Sequence, residues 1–344
     1  QMRVPYYRGR KILVTGGTGS IGSEIIRQLL ALKAGVVRIF SRDETKHYEF
    51  GERLGKRADV RFLVGDVRDK DRLRRAMEGV EIVFHAAALK HVPLCEYNPF
   101  EAVQTNVVGT QNVINAALDA RVSRVIAIST DKALSPVSTM GASKLLAERV
   151  TVAADLFSPN LKLGCVRFGN VIGSRGSIVP LVKAQIERGG PVLITDPNMT
   201  RFMMSVADAA SLVLEAGSLI RGGEIFILKM PVVRLGDLVE VLVDRFTGKK
   251  TAAGRKVRIQ SIEPRYGEKM HHELLTEEEI PRTLDKGKVF VLHAYHRIER
   301  SAKLAAELKR STMSGLIRPK DYRSDAATPL SRRAIAALLD RAKV

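Results

Sequence analysis

The feature that most constrains the fold is a glycine-rich turn, Gly16-Gly17-Thr18-Gly19-Ser20-Ile21-Gly22. Before it, Lys11-Ile12-Leu13-Val14-Thr15 lacks polar alternation, as a strand buried on both faces of a parallel sheet does. After it, the apolar periodicity predicts a helix over 20–33. Strand, glycine turn and helix in that order form a dinucleotide fingerprint. The glycines read as GxxGxxG (Gly16, Gly19, Gly22) or as GxGxxG (Gly17, Gly19, Gly22). Either spacing lets the backbone approach a pyrophosphate at a helix N-terminus. Gly16, Thr18, Gly19, Ser20, Ile21 and Gly22 are the expected contacts.

The next elements extend the same unit. A strand over 35–40 ends in Ser41-Arg42-Asp43, where an acid gripping a ribose 2′-hydroxyl is replaced by Ser41. Arg42, with Lys46 one turn into the following helix, suits a 2′-phosphate, so NADP is expected. Asp43 is within reach of a ribose and keeps NAD as the alternative. The strand Val60–Val64 leads to Asp66 and Val67, with Asp66 placed to accept from an adenine amino group. A helix over 69–77 and a strand over 81–85 follow. Ala86, Ala87 and Ala88 are small enough for close approach to a cofactor. Lys90 and His91 sit where the strand opens onto a cleft; His91 reads as a substrate contact or a structural histidine. One long helix is expected over 99–120, carrying Asn106 and Asn112. A strand over 124–129, a helix over 138–157 and a strand over 162–168 complete the pattern. The repeat predicts an α/β fold: a Rossmann doubly wound parallel sheet over 1–168. A smaller α/β substrate-binding unit is expected over 169–344, with part of 202–228 rejoining the first. That unit is assigned helices over 178–188, 206–218 and 235–247, strands over 192–195, 224–228 and 256–262, and a loop over 196–201. The basic tail, 295–344, is assigned one helix near 329–342.

Composition narrows the classes. A chain of 344 residues suits two units sharing a cleft. No apolar run approaches the roughly 18 residues of a membrane span. There is no signal-peptide pattern, and a cytoplasmic protein is expected. Cys95 and Cys165 lack CxxC spacing, so neither a disulfide framework nor a metal site is expected. The formal charge of +19 is spread along the chain without a nucleic-acid signature. It reads as a basic surface plus a few phosphate-binding arginines, with no specific nucleic-acid partner.

The chemistry is expected in Ser129-Thr130-Asp131-Lys132 and the helix after it, where Met140 and Lys144 fall on one face. TGGTGSIG, SRDE, AAALKHVP, EYNP, NVVGTQN, STDKA, GASK, RFGNVIGSRGS, TRFMMS and GEKMHHELLTEEE occur in this order. Together they resemble the extended short-chain dehydrogenase/reductases, and within them the UDP-N-acetylglucosamine 4,6-dehydratases and capsule-biosynthesis relatives. The resemblance covers about 10–280. It implies oxidation at C4 of a UDP-hexose, loss of water across C5 and C6, and return of the hydride to C6, with or without inversion at C5. Asp131 is then the acid for O6 and must have its pKa raised from about 3.9; Lys132 is the C5 base and must have its pKa lowered from about 10.4. Lys144 holds the nicotinamide ribose. Thr130, or an ordered water, relays the O4 proton. Lys90, Asn170, Arg175, Arg201, Arg265 and Glu268 are the substrate contacts. The long members of this group carry N-terminal membrane spans; this chain reads as the short, soluble type and as a homo-oligomer, dimer or hexamer.

Two departures from the pattern matter. The broad superfamily has Tyr-x-x-x-Lys where this chain has Met140-Gly-Ala-Ser-Lys144, and a thioether neither takes nor gives the proton a tyrosinate handles. Methionine at this place also occurs in a branch of the dehydratases. Arg265-Tyr-Gly-Glu-Lys269 has tyrosine where the family has proline. The alternatives are a UDP-hexose 4-epimerase and, from another class, a non-catalytic NADP-binding protein.

Overall fold

The computed structural model describes residues 6–247, 257–264 and 267–344. The strands follow in chain order as β1 (Lys11–Thr15), β2 (Val36–Ser41), β3 (Val60–Val64), β4 (Ile82–His85), β5 (Arg124–Ile128), β6 (Lys162–Arg167), β7 (Asn170–Ile172), β8 (Val192–Ile194), β9 (Thr200–Ser205), β10 (Glu224–Leu228), β11 (Val232–Arg234), β12 (Ile259–Ser261), β13 (Thr283–Asp285) and β14 (Val289–His293). Nine of them form the central sheet in the order β13-β14-β10-β6-β5-β4-β1-β2-β3. From β3 through β10 neighbours pair in parallel; β14 and β13 close that edge antiparallel. The winding reverses between β1 and β4, which opens a crevice at the strands' C-terminal ends. This is the expected Rossmann architecture. The fully apolar reading of the central strands has its cause in coverage: helix Ser20–Ala31 packs with Val206–Leu219, and Lys70–Met77 packs with Gly109–Asp119. Edge strand β3 is buried at Val60 but leaves Phe62 exposed.

The smaller unit holds two short sheets, β11-β9-β7 and β12-β8. Its core gathers Val179 and Val182 with Leu238, Val239 and Leu242. The C-terminal helix Arg332–Arg341 enters that core through Ile335, Leu338 and Leu339. The tail therefore closes the smaller unit, and it holds a second long helix, Ala302–Met313, where one helix was expected.

Other differences have local causes. The helix expected over 99–120 is interrupted by a π-helical stretch, Val103–Val108. That bulge sets Asn106 to accept from Leu89 N at 2.8 Å and donate to Leu89 O at 3.0 Å and Ser143 Oγ at 2.9 Å. Such bulges concentrate near functional sites. The segment expected as a loop over 196–201 runs into β9, whose residues are all buried. Its Thr and Arg hide the strand in the sequence, because their polar groups are satisfied far along the chain, Thr200 Oγ1 by the His271 and Ser324 side chains and Arg201 by the Lys269 and Met270 carbonyls. β7, β11, β13 and β14 also escape the sequence reading. Among the described residues no helix is long and apolar enough to cross a membrane, and Cys95 and Cys165 are free and buried.

Candidate active site

A cavity of about 780 Å³ opens at the C-terminal ends of β1, β4 and β5. It runs from Gly19–Gly22 past Thr130, Asp131 and Lys132 to Glu268 and His272. Eight lysines and arginines line it (Arg42, Lys46, Lys90, Lys132, Lys144, Arg175, Arg201, Lys269) against three carboxylates, Asp131, Glu268 and Glu273. A cleft of this sign suits polyanionic ligands. A second cavity of about 190 Å³ continues it under Ser41, Asp66 and Ala86–Ala88.

The acid and the lysine come from the turn after β5. Thr130 caps the short helical turn Asp131–Ala133. Asp131 is buried, and its Oδ1 accepts from Thr130 Oγ1 at 2.9 Å and from Lys132 Nζ at 3.0 Å. Lys132 Nζ also donates to Asn170 Oδ1 at 3.2 Å, which ties β7 to the site. Oδ2 of Asp131 faces His272 Nδ1 at 2.6 Å. Burial works to raise the Asp131 pKa, but the charges of Lys132 and His272 and their hydrogen bonds outweigh it. The carboxyl is held far below the ordinary range. The resting site therefore differs from the expectation that it raises Asp131: it stabilises the ionised form. His272 itself is pushed down to about 4 by burial, against the pull of Asp131, and is neutral at pH 7.

Met140 occupies the place of the superfamily tyrosine. It is buried against Cys95, Ala102, Leu89 and Val92, and it lines the cavity. Lys144 Nζ donates to the Ile128 carbonyl, and burial lowers its pKa. Behind this face lies a buried ion network. Arg167 donates to Glu148 and Glu279, with contacts of 2.5–3.2 Å, and Ser129 Oγ donates to Glu148 at 2.7 Å. Four segments converge there: the end of β5, the helix Thr139–Ala154, β6 and the 274–279 segment that follows His272.

The cofactor side of the cleft fits a dinucleotide. Gly16 has φ +65°, and a Cβ there would lie 2.6 Å from Ala87 N. A Cβ on Gly22 would lie 2.3 Å from Gly16 O, so only glycine closes this turn. Thr105 Oγ1, buried and without a hydrogen-bond partner among the described residues, lines the second cavity. Ser41 Oγ lies 2.9 Å from Thr18 Oγ1 and 3.0 Å from His47 Nε2. Asp43 caps the helix Glu44–Leu54 and pairs with Lys46. Asp66 takes Arg68 at 2.8 Å and Arg42 at 3.8 Å, and Val67 is buried. Both carboxylates near the ribose end are thus already engaged by cations.

On the side of the smaller unit, the loop 173–177 crosses the glycine turn. Arg175 N donates to Ser20 Oγ at 3.1 Å, its guanidinium meets the Thr18 carbonyl, and its own carbonyl accepts from Lys90 Nζ at 2.5 Å. Arg175 lines both cavities. His91 packs on Gly176. Arg201 is buried; it donates to the Thr200, Lys269 and Met270 carbonyls and lies 3.8 Å from Glu268. These bonds anchor the 267–272 segment. Arg265 lies outside the described residues. Among the cavity residues that the sequence reading did not assign are Thr105, His272 and Ser177, whose buried Oγ has no partner among the described residues. His272 lay within a recognised motif, yet nothing local tells that it meets Asp131, which is 141 positions away.

A family model described as polysaccharide biosynthesis protein matches residues 12–294. An uncharacterized membrane protein of Methanocaldococcus jannaschii is 53% identical over 84% of this chain and 87% of its own length. CapD, a capsular polysaccharide biosynthesis protein of Staphylococcus aureus, is 41% identical over 87% of this chain; the match spans 50% of CapD. The UDP-glucose 4-epimerase of Rickettsia prowazekii is 41% identical over 84% of this chain and 82% of its own. Among solved structures, Pen from Bacillus thuringiensis superposes with a TM-score of 0.87 at 39% identity, covering 98% of each chain. DesIV, a dTDP-glucose 4,6-dehydratase from Streptomyces venezuelae solved with NAD, superposes with a TM-score of 0.66 at 25% identity, covering 88% of this chain and 96% of its own. With the glycine turn, the β5 acid and lysine, and a family match spanning most of its length, the chain belongs to the CapD-like polysaccharide biosynthesis proteins of the extended short-chain dehydrogenase/reductases.

Proposed function

We propose that the protein is an NADP-dependent nucleotide-sugar 4,6-dehydratase acting on UDP-N-acetylglucosamine. The observation that carries this reading is the Asp131–Lys132 pair at 3.0 Å inside the cationic cleft. An exchange of configuration at C4 alone needs no acid and base aimed at C5 and C6; elimination of water needs both. Moving the shared proton from Lys132 Nζ to Asp131 Oδ1 turns the ion pair into a carboxylic acid and an amine. Those are the states required of the O6 acid and the C5 base. Bound along the glycine turn, the nicotinamide cofactor supplies the hydride acceptor for C4 and the donor for C6. Gly16, Thr18, Gly19, Ser20, Ile21 and Gly22 hold its pyrophosphate, and Ala86–Ala88 and Lys144 lie along the rest. Ser41, Arg42 and Lys46 receive the 2′-phosphate. Thr130 relays the O4 proton, with an ordered water as the alternative, while Met140 shapes an apolar wall. Lys90, Asn170, Arg175, Arg201 and Glu268 belong to the UDP-sugar side. The division into an NADP unit and a UDP-sugar unit, a cytoplasmic location and a homo-oligomeric state are parts of the same proposal.

The test is incubation with a panel of UDP-sugars, read by mass and by NMR at C5. A UDP-4-keto-6-deoxy product, lighter by one water, is expected from UDP-N-acetylglucosamine. The Lys132→Ala variant is expected to lose it while still binding NADP. The second reading, a UDP-hexose 4-epimerase, draws on the Rickettsia relatives. A product of unchanged mass would establish it in place of the dehydratase.

A further inference from the structure

The site contains a buried imidazole that none of these roles uses. We propose that His272 is a positioning residue that holds Asp131 as a carboxylate in the resting site, so that the Asp131–Lys132 pair carries a single proton to share. The proposal rests on the dehydratase reading for its kinetic consequence, though not for its structural core.

The geometry is specific. Asp131 has both oxygens engaged: Oδ1 by Thr130 and Lys132, Oδ2 by His272 Nδ1 at 2.6 Å. A carboxylate only accepts, so the contact places the single N–H of the neutral ring on Nδ1 and fixes the tautomer. The ring cannot drift from this contact, because its backbone is held from both sides. His272 N donates to Ser324 Oγ at 2.7 Å, and Ser324 N donates to His272 O at 2.9 Å. Leu274 N donates to Tyr322 O at 2.8 Å. Ser324 is fully buried and shares a 2.7 Å hydrogen bond with Thr200. The tail segment around 322–324 thus locks the position from which His272 reaches Asp131.

The charged groups facing His272 are Asp131, Lys132 and Arg201; Lys269 also faces Asp131. His271 turns away to Thr200 Oγ1 at 2.8 Å. Without the imidazole N–H, the buried carboxylate keeps Thr130 and Lys132 but leaves Oδ2 unbonded, and burial then favours protonation. A pair holding two protons has an acid but no base, so elimination stops. His272 therefore sets the lower pH at which the site still works.

The test compares His272→Leu with His272→Asn in the full-length, NADP-loaded protein. The asparagine amide keeps an N–H near the position of Nδ1. The acid limb of the kcat/KM profile is expected to rise by about one pH unit or more in the leucine variant and to stay near wild type in the asparagine variant. Limbs that move together in both variants, or in neither, overturn the proposal; loss of rate in both with an unmoved limb shows a purely structural residue. A second measurement needs no turnover: the ¹³C carboxyl resonance of Asp131, assigned by Asp131→Asn, followed against pH without substrate. It is expected to remain that of a carboxylate in the wild type and asparagine variant below about pH 3.9, the ordinary aspartate value. Titration of the wild type at or above that value overturns the proposal even if the leucine variant fails to fold. Absence of UDP-sugar turnover with the carboxylate signal intact strikes only the dehydratase reading.

Discussion

At the scale of single residues, the proposed preference for NADP rests on which charges are already spent. Asp43 caps a helix and pairs with Lys46, and Asp66 is held by Arg68 and Arg42. A free acid to grip a ribose hydroxyl is what NAD selection needs, whereas exposed Arg42 lies beside the second cavity where a 2′-phosphate would sit. Arg42→Ala is therefore expected to weaken NADP binding by about tenfold or more, with a much smaller effect on NAD. Titration calorimetry with both cofactors measures it, and equal losses would remove the 2′-phosphate assignment.

Elements matter here through what they bring together. The Arg167 network joins β5, the helix Thr139–Ala154, β6 and the segment leading from His272. Its members are nearly solvent-free: Arg167 side-chain exposure is 1%, Glu148 2% and Glu279 6%. A buried pair is poor evidence of net stabilisation against an apolar core, but breaking it leaves uncompensated charge. Arg167→Met is expected to cost about 3–5 kcal/mol in urea unfolding, because two carboxylates lose their cation. The same variant is expected to release the 274–279 segment and so to loosen the Asp131–His272 contact. A loss under about 1 kcal/mol would mean that the network is spectator chemistry.

For the whole molecule, buried histidines set the pH response. His85 bridges Thr15 and Thr110 at 2.7 and 3.0 Å and is held down to about 3 by burial and by Lys144. His272 and His293 are each held down to about 4, chiefly by burial. Each folded value lies below the unfolded value of about 6.5, so the unfolded chain binds more protons as pH falls. Their stabilisation is complete above about pH 6.5 and is lost on the way to about pH 4, at about 1.4 kcal/mol per pH unit for each extra proton bound. Glu224, raised to about 7 by burial, runs the other way, one group against three. Urea unfolding between these pH values is expected to show a net fall in stability toward acid; a flat profile would refute it.

The sequence by itself determined the glycine turn, the parallel sheet and the stretch Thr130–Asp131–Lys132, because these depend on local spacing and on apolar runs that only a doubly covered sheet explains. Met140 was legible for the same reason, since it stands at fixed distance from Lys144 on one helix. Tertiary structure added to the Lys132 beside Asp131 a second partner that no local spacing shows, an imidazole 141 positions away. It also decided the use of the tail, whose residues 322–324 hold that imidazole and whose last helix fills the smaller core. β9 and β14 were missed because β9 pairs with β7 and β11, and β14 with β10 as well as with its neighbour β13; Arg201 was expected as a substrate contact, and only the fold shows its donors going to backbone 68–69 residues on. Long-range hydrogen bonds and burial carry those decisions, and neither leaves a period in the sequence.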